Sequence, residues 1–203
     1  MTTTILLVRH GQTDSNISNF YMGWSSEDLN KTGYDQASRL SARLSSLPVH
    51  SVYTSPLQRA RTTAAILAEP HGLEPAVVDD LIEIDLGDWQ GLYATEIEQR
   101  WTEIWRQWRI DPSSVTVPGG ESLTQVTERA IRALHRIVAS NQGEVTAIVT
   151  HEVIVKVLVT YVIGAPNHIY RRFDINNASL SVVRIAGDQR WLAGLNDMSH
   201  LES

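Results

Sequence analysis

Arg9, His10 and Gly11 stand directly after a short apolar run, Ile5 to Val8. Such a run reads as a buried strand. Arg and His do not help to build a core, and Gly lets the backbone turn sharply where a strand stops. In open α/β sheets, ligands sit just beyond the carboxyl ends of strands. The triplet therefore puts a nucleophile-capable imidazole and a permanent cation where chemistry is usually done. Alone it reads equally well as a strand-end His beside a surface Arg, because short motifs match by chance.

Four further segments shift that balance. They are Ser55-Pro56-Leu57-Gln58-Arg59-Ala60-Arg61-Thr62-Thr63-Ala64, Glu83-Ile84-Asp85-Leu86-Gly87-Asp88-Trp89-Gln90-Gly91, Gly119-Gly120-Glu121-Ser122 and Val149-Thr150-His151. With Arg9-His10-Gly11-Gln12-Thr13 and Asn16, this chain resembles, block by block, the histidine phosphatase superfamily, also called the phosphoglycerate mutase-like family. Each block is weak alone; together, in family order and across most of the chain, they are specific. The resemblance implies a three-layer α/β/α sandwich with a mostly parallel central sheet. It also implies a phosphohistidine intermediate, with no metal and no other cofactor.

Transfer from a phosphate monoester needs a nucleophile, charge stabilisation for the phosphoryl oxygens and a proton for the leaving group. His10 is the candidate nucleophile, its neutral imidazole attacking phosphorus. Arg9 and Arg59 are candidate clamps, because guanidinium stays charged and presents a planar fork that suits phosphate oxygens. His151 follows an apolar strand and starts a helix, where side chain and helix N-terminus can both face an anion. Glu83 is the candidate general acid, and later the base that activates water. The resemblance selects it, since the family's acid lies four residues before a Gly, here Gly87. The crowding of Glu83, Asp85 and Asp88 predicts that Asp85 or Asp88 helps to keep Glu83 protonated. The resemblance further implies that Gln12, Thr13, Asn16 and Gly23 touch phosphate or substrate. Glu152 departs from the family pattern, in which Gly often follows the last His. A carboxylate suits a helix N-terminus, but pointed into the pocket it would repel phosphate. Its side chain is expected to turn away and leave its backbone N–H to the substrate.

The stretch at about 92–118 is expected to be a variable, substrate-facing helical segment within one domain spanning 1–203. Trp101, Trp105 and Trp108 fall at i, i+4 and i+7 there, either as core packing or as a partly apolar lid. Arg100, Arg106 and Arg109 share the segment and could meet a second anionic group on the substrate. Bisphosphoglycerate-dependent mutases of the family are usually longer in this region and carry extra basic residues. The short, Trp-rich stretch from Gly91 to Pro118 favours a phosphatase acting on small phosphate monoesters. A phosphoglycerate mutase is the alternative. A non-catalytic phospho-ligand binder is a third reading, because fold does not dictate function.

The elements that must position these residues alternate along the chain. Strands are predicted over Ile5–Val8, Ser51–Thr54, Ala76–Val78 and Thr146–Val149. A late pair, Leu180–Ile185 and Trp191–Leu195, is joined by a turn at Ala186–Gln189. Helical periodicity covers Thr32–Ser45, Pro56–Ala68, Thr95–Trp108, Ser122–Val138 and His151–Ile163. Pro56 is placed in the first turn of its helix and Ser122 as an N-cap. Arg59 then lies about one turn in, with Arg61 roughly 200° around the helix from it. Alternating strands and helices imply a mostly parallel sheet covered by helices.

Composition sets the outer bounds. The 203 residues are 42% hydrophobic and carry 17 basic against 23 acidic side chains, a net charge of −6. An acidic chain is a poor general binder of nucleic acid. No apolar run is long enough to span a membrane. The N-terminus, Met1-Thr2-Thr3-Thr4, lacks a signal-peptide pattern. There is no cysteine, which excludes disulfides and thiolate metal sites and fits a cytoplasmic location. His151-Glu152-Val153-Ile154-Val155 begins like a zinc helix but lacks the second His, and His50, His71, His135, His168 and His200 lack ligand spacing. The expected partner is a small phosphorylated substrate. The oligomeric state is open, a homodimer through a sheet edge or an apolar helix face included.

Overall fold

A computed structural model describes residues 1–18 and 20–202 of the chain. In chain order its elements begin with β1 (Thr3–Arg9), α1 (Asp14–Ser18), β2 (Phe20–Tyr21), α2 (Lys31–Leu44) and β3 (Val49–Thr54). They continue with α3 (Gln58–Ala68), β4 (Ala76–Val77), β5 (Leu92–Tyr93), α4 (Ala94–Arg100) and α5 (Thr102–Ile110). The last are α6 (Leu123–Ser140), β6 (Val145–Thr150), α7 (Glu152–Val162), β7 (Leu180–Ala186) and β8 (Gln189–Asp197). The six-stranded sheet runs β4-β3-β6-β1-β7-β8. Its first four strands are mutually parallel, and the β7–β8 hairpin closes it antiparallel to β1.

Strand alternation sorts the core into two layers. Leu6 and Val8 of β1 face Leu40 and Leu44 of α2 and Ala60, Ala64 and Leu67 of α3. Ile5 and Leu7 face the other way, into α6, α7 and the segment around Trp89. A parallel sheet buried on both faces needs apolar side chains at consecutive positions, and this is why Ile5-Leu6-Leu7-Val8 is uninterrupted. The expected three-layer α/β/α sandwich is the observed fold. No helix among the described residues is long and apolar enough to cross a membrane.

Local rules place most boundaries. Ser122 caps α6, accepting from Gln125 N while the Gln125 side chain returns to Ser122 N, a reciprocal capping box. The start of α3 differs from expectation. Ser55 N is still held by Val149 O at 3.1 Å, so the chain continues the sheet line through Ser55. The helix begins at Gln58, after Leu57 as N-cap. Arg59 nonetheless stays in the first turn.

The expected helix over Thr95–Trp108 is broken at Trp101, whose φ of −131° and ψ of 49° end α4 and open α5. The second half turns Trp105 and Trp108 into the core, 5.6 and 5.5 Å edge-on to Trp89, while Trp101 stays half-buried. A two-stranded ribbon, β2 with β5, lies beside this cluster. The two-residue strands β2 and β5 and the single-turn helix α1 are too short to register as periodicity.

Trp89 is fully buried at the centre of this aromatic cluster. Trp89→Ala is expected to cost about 3–5 kcal/mol, lowering the melting temperature by roughly 2–4 °C per kcal/mol. Calorimetric unfolding checks this, and a shift within error of zero would contradict the packing described.

Candidate active site

Parallel pairing brings the two histidines together. Arg9 of β1 is in register with Thr150 of β6, so the next residues, His10 and His151, leave adjacent strands side by side. His10 N donates to Thr150 O at 2.9 Å, and the ring centroids are 5.2 Å apart, edge to face. The strand exit passes close to the N-terminus of α2. A Cβ on Gly11 would lie 2.5 Å from Gly33 O, and one on Gly33 would lie 2.1 Å from Gln12 O. Close backbone approach, rather than a left-handed turn, is what requires Gly11.

Hydrogen bonds settle the His10 tautomer. Nδ1 lies 2.7 Å from Gly11 O, and a carbonyl can only accept, so Nδ1 carries the proton and Nε2 keeps its lone pair. Burial first, then the charges of Arg59 and Arg9, holds the His10 pKa well below its usual value. His151 is depressed in the same way, by burial and then by Arg59, His10 and Arg9. Its Nε2 meets Ser55 Oγ at 2.7 Å, while Nδ1 is buried without a partner among the described residues. As N-cap of α7 it makes no side-chain capping bond.

The guanidiniums are oriented mainly by carbonyls. Arg59, 3% exposed, donates to Gly23 O and Ser25 O, both at 2.9 Å; Arg61 faces solvent. Arg9 donates to Ile175 O and pairs with Glu152 Oε2 at 3.0 Å. Glu152 also holds Lys156 Nζ at 2.8 Å. Its side chain therefore does not turn away as expected; it forms part of the cavity wall because two cations draw it there.

Glu83 accepts from Ile84 N at 2.8 Å. Burial raises its pKa, with Glu152 adding to the rise and Ile84 N–H, Arg59 and Arg9 opposing it. The expected source, Asp85 or Asp88, is not the cause: Asp85 Oδ1 is engaged by Gly87 N and Asp88 is exposed.

These groups surround a cavity of about 680 Å³. Arg9, His10, Arg59, Glu83 and Glu152 line it, as do Thr13, Asn16 and Gly23. Thr13 Oγ1 and Arg9 Nε are buried without partners among the described residues. Asn16 Oδ1 accepts from Thr13 N and Asn177 Nδ2. Gln12 lies apart: its side chain accepts from Asn30 Nδ2, and its backbone N donates to Gln36 Oε1. His151 sits beneath the wall, against His10. Of the three arginines in the variable segment, Arg100 and Arg106 pair with Glu96 and Glu103 on the surface. Arg109 alone among them lines the cavity.

Sequence reading missed several supports. Arg129 of α6 uses all five N–H groups: Nε and Nη2 bind the Glu121 carboxylate, and the rest bind Asp80 O, Ile82 O and Glu83 O. Glu121 Oε2 also accepts from Asp85 N at 2.9 Å. This latch fixes the loop that carries Glu83. Asn177 Nδ2 reaches His10 O at 3.2 Å, and Ala178 N, at a φ of 54°, reaches Arg9 O and His10 O. These contacts span more than 160 positions of sequence, and no local pattern announces them.

The family model for the histidine phosphatase superfamily (branch 1) matches residues 5–198. Phosphoserine phosphatase 1 of Hydrogenobacter thermophilus is 32% identical over 97% of this chain and 93% of its own length. The bifunctional protein Rv2228c of Mycobacterium tuberculosis is 35% identical over 92% of this chain. That match covers 51% of the relative, so the chain spans about half the length of some curated relatives. The solved structure of Bacillus stearothermophilus YhfR superposes with a TM-score of 0.95 at 31% identity, covering 98% of this chain and 100% of that one.

The buried imidazoles couple stability to pH. Unfolded histidines titrate near about 6.5, whereas His10 and His151 in the fold resist protonation to lower pH. Below that point the unfolded chain binds more protons than the native one, so unfolding free energy falls with pH. This contribution is complete above about pH 6.5 and is lost as pH drops, each site adding a slope of up to about 1.4 kcal/mol per pH unit. Denaturant titrations across that range check the slope. His10→Asn should remove one site's share, and an identical slope in wild type and variant would show that His10 titrates normally.

Proposed function

Since the chain belongs to the histidine phosphatase superfamily, branch 1, we propose that it hydrolyses small phosphate monoesters through a phosphohistidine on His10. The observation that carries this reading is the His10 tautomer: Nδ1–H is fixed on Gly11 O, and the lone pair of Nε2 remains for phosphorus. Low basicity keeps that lone pair available across the neutral range. In the first step Nε2 bonds to phosphorus, the P–O ester bond breaks, and the leaving oxygen takes the proton of Glu83. In the second step the Glu83 carboxylate takes a proton from water, whose oxygen attacks phosphorus. The P–N bond breaks and its electron pair returns to Nε2.

Arg9 and Arg59 neutralise the phosphoryl oxygens, a charge role that needs no metal ion. Their carbonyl partners orient them without cancelling their charge, although Arg9 shares its field with Glu152. His151 acts as a neutral hydrogen-bond partner of the phosphoryl group, and Thr13 and Asn16 supply further polar contacts. Elevation of the Glu83 pKa by burial favours the protonated form that donation requires. The phosphatase name of the Hydrogenobacter relative supports hydrolysis over phosphoryl transfer between hydroxyls. Within this reading, the segment 92–118 forms the substrate-facing side of the catalytic unit.

Wild type in excess EDTA is expected to release phosphate from a panel of monoesters, and His10→Ala to release none. Acid-labile, alkali-stable labelling of wild type should disappear in the same variant. Glu83→Gln is expected to slow esters with poor leaving groups by about 10²–10⁴-fold and p-nitrophenyl phosphate less. As Glu83 must be protonated, kcat with poor leaving groups should fall as pH rises through its elevated pKa, and Glu83→Gln should lose that limb. Isomerisation of a phosphoglycerate without net release would replace this reading with a mutase. Binding without turnover would replace it with a binding protein.

A further inference from the structure

Helix α7 opens Glu152-Val153-Ile154-Val155-Lys156-Val157-Leu158-Val159, with one cation inside an apolar run. Packing does not account for that cation. Lys156 is 6% exposed, and a buried ammonium is costly unless it is paired. Its Nζ donates to Glu152 Oε1 at 2.8 Å and lies 5.2 Å from the Tyr170 ring centre. Lys156 does not itself line the cavity, and no catalytic step described above uses it.

Glu152 connects Lys156 to the site. Its second oxygen, Oε2, pairs with Arg9 Nη1 at 3.0 Å. One carboxylate thus bridges a buried ammonium and the guanidinium that precedes His10. Arg9 Nη1 also donates to Ile175 O, while Arg9 Nε is buried with no partner among the described residues, which leaves that donor for a ligand oxygen. The Glu152 side chain is 37% exposed, against 14% for Arg9 and 8% for Lys156, and it lines the cavity. An anion on the wall of a phosphate site repels its ligand unless its charge is taken up nearby. Burial pushes the Glu152 carboxyl up, but Arg9, Lys156 and Arg171 outweigh burial and hold its pKa below the usual range. Tyr21 and Tyr170 also face it; burial raises both phenols, and they stay neutral. The order Glu then Lys at i and i+4 is the favourable one on a helix.

We infer that Lys156 is a positioning residue of the phosphoryl site: it takes up the charge of Glu152 and holds that carboxylate where it aims Arg9. Lys156 acts through Glu152 and touches no reacting atom. Its loss alone leaves an uncompensated anion facing the phosphoryl group. Loss of both charges together leaves none, and Glu152→Gln keeps an oxygen that can accept from Arg9. Lys156→Met is therefore harmful only while the Glu152 carboxylate is present. The nature of the ligand rests on the phosphatase reading above; the bridge itself rests on the two ion pairs.

The test compares wild type, Lys156→Met, Glu152→Gln and the double variant, by calorimetric titration with inorganic phosphate and by turnover of glycerol 3-phosphate. Met replaces the buried lysine stem at similar volume. Lys156→Met is expected to weaken phosphate binding, and to lower kcat/KM mainly through KM, by about 10–100-fold, the scale of a buried charged group left unpaired. Adding Glu152→Gln should recover most of that loss. A loss that persists in the double variant would make Lys156 a packing residue and overturn the inference, as would wild-type phosphate affinity in Lys156→Met. The pH profile supplies a readout that a packing defect would not move in opposite directions. Glu83 faces Arg59 of α3, Arg9 of β1, Glu152 of α7 and Tyr170, with Arg129 of α6 on its backbone oxygen. Glu152→Gln removes an anion and should shift the falling limb of kcat to lower pH, whereas Lys156→Met removes a cation and should shift it to higher pH. Shifts of one sign in both, or none in either, would overturn the inference. Phosphate binding that is lost and recovered in this order, with no turnover by wild type, would uphold the bridge and remove the phosphatase. Turnover by wild type with phosphate binding indifferent to Lys156 would do the reverse.

Discussion

The register of β1 against β6 is the constraint on which the site depends. Aligning Arg9 with Thr150 sends His10 and His151 out of the sheet as neighbours. A shift of one residue would reverse the facing of every side chain on the strand and separate the rings. Burial makes both imidazoles neutral, so the positive charge of the cavity has to come from groups that cannot lose it. Arginine is that group. Backbone carbonyls at Gly23, Ser25 and Ile175 aim the guanidiniums without an opposing charge of their own, while Glu152 takes up part of the field of Arg9.

The second organising contact is buried and ionic. Arg129 and Glu121 bind each other and, between them, the backbone of Asp80, Ile82, Glu83 and Asp85. A buried ion pair of this kind contributes little net stability, because desolvation offsets its attraction. Its effect here is positional. The loop that carries Glu83 has no strand neighbours along that stretch, and the pair supplies the acceptors and donors a sheet would have supplied. Gly87 and Gly120 complete the join, since a Cβ at either would sit 2.3 Å from a backbone oxygen of the other segment.

How much of this was legible in the sequence follows from how local each cause is. The uninterrupted apolar run of β1, the capping of α6 by Ser122 and the Gly187 turn of the hairpin are written in adjacent residues. His10 and His151 follow strand ends, Arg9 is the last residue of β1 and Arg59 lies in the first turn of α3, all local features, whereas Glu83 is brought to them by the Arg129–Glu121 pair. Where a distant partner decides, the local pattern misleads. Val149 delays the start of α3 through Ser55. Packing around Trp89 accompanies the break at Trp101. Glu152, not its own neighbours in sequence, is the carboxylate that bears on Glu83. Arg171 and Asn177 carry no signal at all, because their significance lies only in what the fold sets opposite them.

The seating of β1 between β6 and β7 has a consequence for how the molecule is made. Its two neighbours, and the Asn177–Ala178 contacts that grip Arg9 and His10, all come from residues beyond 144. On the ribosome, β1 therefore waits through most of translation as an apolar segment with both edges unpaired, a state open to mispairing. Pairing of β1 with β6 is what brings the two histidines together, and the β7–β8 hairpin then covers the other edge of β1. A nascent chain lacking its final third has neither His151 nor either of the two strands that flank β1.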